Sequence, residues 1–300
     1  MEKVYVKCNY CGADDYKVVF PEGKAQLHQI VKCNHCGLMY ANPQTTHTVG
    51  GKVSLDEGLN DNIEELEKEL ADFIPDKNQY LKKQYIQQKD YLKVLDYIDN
   101  RPKGTLLDIG SYTGVFLNSA KERGWDTLGI EPLTKPRLYS EKEFGLKVLS
   151  TPFEKSDIAD GSIDVVVYFH VIEHVYDPKA FILKSHQVLK KGGLLVMETP
   201  TYDSFMFKLL RHRERSARCD GHIFLFTTET LSKLVESCGF KVVKHDKVGR
   251  TLSVDRLFHN FGIITGCKKF FNFIATKLRL DKFTIHLNMR DMQRIYCEKL

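Results

Sequence analysis

The sequence contains no uninterrupted apolar run of the ~18–20 residues that a membrane-spanning helix requires. Met1 to Tyr10 holds no apolar stretch, so nothing there reads as a secretion signal, and the expectation is a cytoplasmic protein. Charge of one sign does not dominate either. Forty-four Lys and Arg face 39 Asp and Glu, a formal surplus of +5. That surplus permits an anionic partner but demands none, and the long basic stripe of a nucleic-acid binder is absent. With 42% hydrophobic and 28% charged residues in 300, the chain suits one medium domain with a sizeable core and a small extra module.

The eight cysteines are unevenly used. Cys219, Cys238, Cys267 and Cys297 are scattered singly and read as incidental thiols. Cys8-Asn-Tyr-Cys11-Gly12 is echoed by Cys33-Asn-His-Cys36-Gly37. A two-residue gap lets one tight turn present both sulfurs to one ion, and the following glycine accepts the twisted backbone. Two such turns supply four thiolates in the tetrahedral arrangement that suits Zn2+. In a reducing compartment this reading outranks disulfides. Strands are predicted over 16–20 and 27–32, giving a zinc ribbon at residues 1–45. Its purpose is either structural support for the main domain or recognition of RNA or a protein.

Residues 46–104 read as a linker followed by capping helices. Asn42 to Gly58 is rich in Thr, Gly and Asn, whereas 61–73 and 78–98 carry apolar residues at helical spacing. Tyr80, Tyr85 and Tyr91 either roof a ligand or simply pack.

Residues 105–300 alternate strands and helices, which implies a doubly wound α/β fold with a mostly parallel sheet. Thr105 to Ile109 is an apolar strand containing Asp108; Gly110 to Gly114 is a glycine turn, and a helix starts near Val115. Such a turn exposes backbone N–H groups to a ligand. A second strand, Thr127 to Ile130, ends at Glu131, a carboxylate placed to accept hydrogen bonds from both ribose hydroxyls of an adenosine. Further strands are predicted at 147–150, 163–169, 194–199, 241–248 and 294–298, with helices at 178–189 and from Thr227 to Cys238.

These segments together resemble the class I S-adenosylmethionine (SAM)-dependent methyltransferases. The matching residues are Leu-Leu-Asp108-Ile-Gly110-Ser-Tyr-Thr-Gly114, Gly129-Ile-Glu131-Pro132, Ile163-Asp-Val-Val-Val and Val188-Leu-Lys-Lys-Gly-Gly193. Phe169-His-Val-Ile-Glu173-His174-Val-Tyr-Asp-Pro178 is similar to the branch that includes ubiquinone-pathway and sugar methyltransferases. The resemblance implies a seven-stranded Rossmann-like sheet and SAM as cofactor. It further implies that Asp108, Gly110, Tyr112 and Gly114 face the methionine end. Glu131 would take the ribose, Phe153 and Glu154 lie by the adenine, and His170 sit near the sulfonium. One departure is visible: Tyr112 stands where the family usually has glycine. The resemblance also makes Glu173 and His174 a candidate pair for a divalent cation, and His174 a candidate base.

His170-x-x-Glu173-His174 additionally fits an inverted zinc-protease pattern, which requires one continuous helix. His222, followed by aromatics and a capped helix, is a second candidate base at neutral pH. Arg211, Arg213, Arg215 and Arg218 form either a phosphate site or a solvated face. Residues 251–283 hold an aromatic and lysine-rich helical insert, suited to a lid, a homodimer face or a membrane surface. The leading expectation is O-methylation of a sugar, glycan or other small metabolite, with a phosphorylated or nucleotide-linked sugar among the acceptors. The alternatives are an RNA methyltransferase gripping RNA through the ribbon, and a non-catalytic binding protein with a degenerate fold.

Overall fold

Leu106, Leu107, Val165, Val166, Leu195 and Val196 are almost wholly buried, and this decides the architecture. Strands apolar on both faces need helices on both sides, the signature of a parallel sheet. The computed structural model describes residues 3–45 and 89–300. Residues 46–58 of the linker, the helix expected at 61–73, and Tyr80 and Tyr85 lie outside the described residues, whereas the linker's first residues, 42–45, are described and include a short strand.

The ribbon contributes β1 (Lys3–Val4), β2 (Tyr16–Phe20), β3 (Ile30–Cys33), β4 (Met39–Ala41) and β5 (Gln44–Thr45). Residues 89–98 are helical (α1). Then follow β6 (Thr105–Ile109), α2 (Val115–Glu122), β7 (Asp126–Ile130), α3 (Thr134–Phe144) and β8 (Val148–Leu149). The chain continues with β9 (Ile163–Phe169), α4 (Pro178–Val188), β10 (Leu189–Pro200), α5 (Phe205–Leu210), β11 (Phe224–Leu225) and α6 (Thr228–Glu236). It ends with β12 (Phe240–Ser253), α7 (Val254–Thr265), α8 (Lys268–Lys277) and β13 (Thr284–Lys299).

The seven-stranded sheet has the order β12-β13-β10-β9-β6-β7-β8, and only β13 runs against the rest. The order reverses between β6 and β9. In open α/β sheets the crevice at such a switch point, outside the carboxyl ends of the strands, is where ligands bind.

Helix boundaries follow local chemistry. Asp177 caps α4 by accepting the Ala180 N–H at 2.8 Å, with Pro178 at the first helical position. Thr227 caps α6 in a reciprocal pair with Thr230.

Three boundaries differ from expectation. β10 begins at Leu189 rather than Leu194, because the Lys190 to Gly193 stretch is a bulge within the strand and not a turn before it. β12 and β13 extend to Ser253 and back to Thr284. The extra length of β13 is mostly exposed, and that of β12, Gly249 to Ser253, is largely polar though buried or half-buried, so no apolar alternation marks either in the sequence. The helices of the expected insert therefore start at Val254.

The ribbon does not stand apart. Its sheet has the order β11-β4-β3-β2, so the edge strand comes from the segment between α5 and α6. Ile30, Val31 and Tyr40 belong to the same apolar core as Ile172, Phe224 and Phe226.

Candidate functional site

Asp108 lies near the end of β6, 3% exposed. The chain then turns through Gly110 (φ 74°), Tyr112 (φ 49°) and Gly114 (φ 75°). At Gly110 a Cβ would come within 2.8 Å of Val171, and at Gly114 within 2.5 Å of Leu146. Both are therefore held to glycine by space as well as by φ. Tyr112 keeps the left-handed path that glycine would take, with its ring 42% exposed. The departure seen in the sequence thus leaves the turn intact. Gly114 caps α2 without a side chain, which leaves first-turn N–H groups facing the crevice.

Glu131 fixes this turn. Its carboxylate accepts the Tyr112 N–H at 2.8 Å and the Leu133 N–H at 2.9 Å. Burial nevertheless raises the Glu131 carboxyl above the usual carboxylate range. Burial, with the Glu131 charge beside it, pushes Asp108 up to about 8. A buried carboxyl so disfavoured as an anion suits a cationic ligand group. Phe153 and Glu154 diverge: Phe153 is buried edge-on against Phe181 at 5.0 Å, whereas Glu154 is on the surface.

Beyond β9 the chain makes a second turn. His170 has φ 57°, and its N–H donates to the Glu198 carbonyl at 2.8 Å. Residues 172–174 are a turn, and α4 starts only at Pro178. The one continuous helix that the protease pattern needs is therefore missing.

Glu173, fully buried, is the hub. The His170 Nδ1 lies 3.3 Å from its Oε1, and Thr199 Oγ1 donates to its Oε2 at 2.9 Å. Burial opposes ionisation, but His170, His174 and His222 outweigh it and bring the Glu173 carboxyl down to about 2. For His170, burial again works against the charged form, and Glu173 and Glu198 overcome it to raise the imidazole.

His174 Nδ1 lies 2.7 Å from the Gly221 carbonyl, so that nitrogen carries the proton and Nε2 holds the free lone pair. The His174 and His222 rings meet edge-to-face at 4.7 Å. His222 Nδ1 lies 3.0 Å from the Tyr202 hydroxyl, and burial, with His174 and His170, depresses its pKa to about 4. One ligand atom each from Glu173, His174 and His222 fall within 4.8 Å of one another. That is an oxygen and two nitrogens of the type a divalent cation accepts, although each Glu173 oxygen already takes a hydrogen bond.

The four ribbon sulfurs also converge. Cys8 and Cys36 are 3.4 Å apart, Cys11 and Cys33 are 3.6 Å apart, and all four lie within 4.8 Å of one another. Gly12 and Gly37, at φ 75° and 79°, make the turns expected of them. Burial pushes the Cys8 thiol up to about 11 and raises Cys36 as well. Four crowded sulfurs of this kind fit Zn2+, which supplies the positive charge that thiolates need.

The ribbon reaches the hub through the backbone. Ala41 N–H donates to Ile223 O at 2.8 Å, and the Ile223 and Phe224 N–H groups donate to Glu173 O at 2.8 and 3.1 Å. Gln26 donates to the His222 carbonyl at 3.3 Å. Asn9, between the first two cysteines, bonds Asp177 and the Lys179 N–H at the start of α4.

Several residues of this centre are not singled out by sequence motifs. Glu198 and Arg294 are cross-strand partners in β10 and β13, joined at 2.7–2.9 Å and both nearly buried. Glu198 Oε1 lies 3.7 Å from His170 Nε2, and Arg294 also donates to the Asp90 carbonyl at 2.8 Å. A charged residue inside each of two apolar strands is the signal that marks them. Tyr91 stacks on Phe169 at 4.4 Å, above the end of β9. Arg211, Arg213, Arg215 and Arg218 are all exposed.

The chain resembles known proteins. The methyltransferase-domain family matches residues 79–245. A ubiquinone biosynthesis O-methyltransferase of Acinetobacter baumannii is 29% identical over 129 residues, 39% of this chain and 54% of that protein. The match thus spans about half the length of that relative. An uncharacterised protein of Methanocaldococcus jannaschii is 25% identical over 143 residues, 48% of this chain and 67% of that one. A chain from the Haloferax volcanii complex of the Trm112 methyltransferase activator with a candidate methyltransferase superposes with a TM-score of 0.51 at 12% identity. It covers 77% of this chain and 97% of its own length, a likeness of fold. The family match takes in more than half of the 300 residues and runs from α1 through the glycine turn and the Glu173 hub, and the chain belongs to the methyltransferase-domain family.

Proposed function

We propose that this protein transfers the methyl group of SAM to an oxygen of a sugar, glycan or other small metabolite. A phosphorylated or nucleotide-linked sugar is the favoured acceptor. The observation that carries the reading is the juxtaposition at one sheet edge of a glycine turn braced by Glu131 and a buried Glu173 beside His174. SAM, when bound, supplies a methyl group on a sulfonium that needs no further activation. The chain has to hold that methyl and an acceptor hydroxyl in line and remove one proton. Asp108 pairs with the ammonium of the methionine end. Glu131 accepts the ribose hydroxyls while still holding the Tyr112 and Leu133 N–H groups. His174 Nε2 takes the acceptor proton, and the Glu173 carboxylate stabilises the imidazolium that results. Incubating the protein with labelled SAM and a panel of nucleotide sugars and sugar phosphates tests the substrate class, and transfer to none of them would remove it.

Two expectations concern the cofactor. Glu131→Ala should weaken SAM binding on the order of fiftyfold, the loss of its charged hydrogen bonds to the ribose amounting to about 2–3 kcal/mol. Titration calorimetry reads this directly, and an unchanged affinity would remove the ribose assignment.

The second is a pH dependence. Asp108 titrates at about 8 in the free protein, so at pH 6–7 it mostly carries a proton. Pairing with an ammonium requires the carboxylate, so binding expels that proton. Affinity should then rise about tenfold for each pH unit below about 8 and level off above it. Binding heats in buffers of different ionisation enthalpy count the released proton. Asp108→Asn should flatten the profile, and a flat wild-type profile would contradict the pairing.

A further inference from the structure

β12 and β13 outrun the sheet to which they belong. β13 pairs with β10 from Met292 to Glu298, whereas Thr284 to Leu287 pair with β12 alone. Because β13 runs against β10, this overhang stands at the edge where β6, β9 and β10 end. That is the edge bearing Asp108, His170 and Glu173. Helices α7 and α8 sit at the tip, between the two strands.

The tip exposes what a soluble surface normally hides. Phe270, Phe273, Leu278 and Phe283 are each 59–64% exposed, with Ile285 at 40% and Met289 at 50%. On α8, Phe270, Phe273 and Lys277 recur at helical spacing and share one face, while buried Ala275 lies on the other. Residues 266–290 contain six Lys or Arg and a single acidic residue, Asp281. All six cations are exposed.

A second element repeats the pattern. α5 packs against β13 and leaves Phe205 75% and Leu209 65% exposed. Lys208, Arg211 and Arg213 are exposed beside them.

Three occupants compete for such a face. A lid folded onto the domain would bury its phenylalanines, whereas Phe270, Phe273 and Phe283 are exposed. The core of a self-association interface is depleted in lysine. Aromatic side chains interleaved with Lys and Arg match a bilayer surface, where rings enter the headgroup boundary and cations meet anionic lipid. No helix among the described residues is long and apolar enough to cross a membrane, so any such contact is peripheral.

We propose that the α7–α8 tip docks on an anionic lipid bilayer. Phe270 and Phe273 enter the interface, and the surrounding lysines engage the headgroups. The docking does not depend on the methyl-transfer reading; if both hold, the site opens toward the membrane and receives an amphiphilic acceptor.

Co-sedimentation of the full chain with phosphatidylcholine vesicles, with and without one quarter phosphatidylglycerol, tests this. Binding should be strong to the anionic vesicles, weak to the neutral ones, and fall as salt rises. Phe270→Ser with Phe273→Ser should lower partitioning at least tenfold, and Lys268, Lys269 and Lys277→Gln together on the order of a hundredfold. These side chains are exposed, so thermal melting of both variants should match the wild type. Three results would each overturn the proposal: no anionic preference, partitioning untouched by the serine variant, or a dimer in solution that the serine variant dissolves. The last would assign the face to a second copy of the chain.

Discussion

Asparagine in place of His174 should lower kcat for methyl transfer by about a thousandfold, within the 10²–10⁴ range of a general base, and leave SAM affinity unchanged. The substitution keeps an N–H donor for the Gly221 carbonyl, which Nδ1 of His174 meets at 2.7 Å. It removes the lone pair on Nε2 and, with the ring, the edge-to-face contact to His222. His222 cannot substitute easily. Burial holds its pKa at about 4, and its Nδ1 faces the Tyr202 hydroxyl, so it is a poor proton acceptor at neutral pH. The Glu173 carboxyl, by contrast, is ionised throughout the working range. Its folded pKa of about 2 lies below the ordinary carboxylate value of 4.5. The stability it contributes is therefore present above about 4.5 and is lost only as pH falls through about 2. A permanent anion within 4.8 Å of His174 favours the imidazolium that forms when the proton is taken. Steady-state kinetics with SAM and an acceptor separates the outcomes. A fall in kcat with unchanged SAM binding supports the base, whereas a variant as active as the wild type reduces His174 to a packing residue.

What the sequence discloses about this centre depends on how far apart in the chain the cooperating groups lie. Asp108, Gly110 and Gly114 are neighbours in one strand and turn, and their spacing alone predicts the geometry observed. The same holds for the two Cys-x-x-Cys-Gly turns. Glu198 and Arg294 meet across 96 residues, and Arg294 reaches the Asp90 carbonyl across 204. No local pattern announces such a pair; only sheet register brings it together. The β4–β11 pairing is hidden for the same reason, since two-residue β11 has no periodicity to read. The end of β13 escapes detection because solvent on its faces erases the alternation that marks a half-buried strand, and that of β12 because Gly249, Arg250 and Thr251 offer no apolar alternation. At Tyr112 the sequence suggests a disturbed turn. The backbone accommodates the residue because its side chain points outward and Glu131 holds its N–H.

On the reading that the four thiols hold Zn2+, stripping the ribbon of that ion should lower the melting temperature of the whole chain by about 10 °C and abolish transfer, not merely unfold the first 45 residues. The argument starts from size. A module this short cannot bury enough surface to hold itself together and folds on its metal. Structural zinc is worth roughly 10–16 kcal/mol in isolated fingers. If about a third of that reaches the main domain, the loss is about 4 kcal/mol, or about 10 °C at 2–4 °C per kcal/mol. The route is visible in the hydrogen bonds. Losing β4 frees the edge of β11, where Ala41 holds Ile223 and the Ile223 and Phe224 N–H groups hold the Glu173 carbonyl. Losing the loop at Gln26 releases the His222 carbonyl, and losing Asn9 uncaps the approach to α4. The ribbon thus braces the segment carrying Glu173, His174 and His222 from outside. Metal analysis before and after a strong chelator gives the stoichiometry, and calorimetry gives the shift. Cys8→Ser with Cys36→Ser should reproduce both effects without chelator. Unchanged melting after complete metal loss would show that the ribbon's contacts survive without the ion, and would leave recognition of a partner as the remaining reason for four convergent thiols.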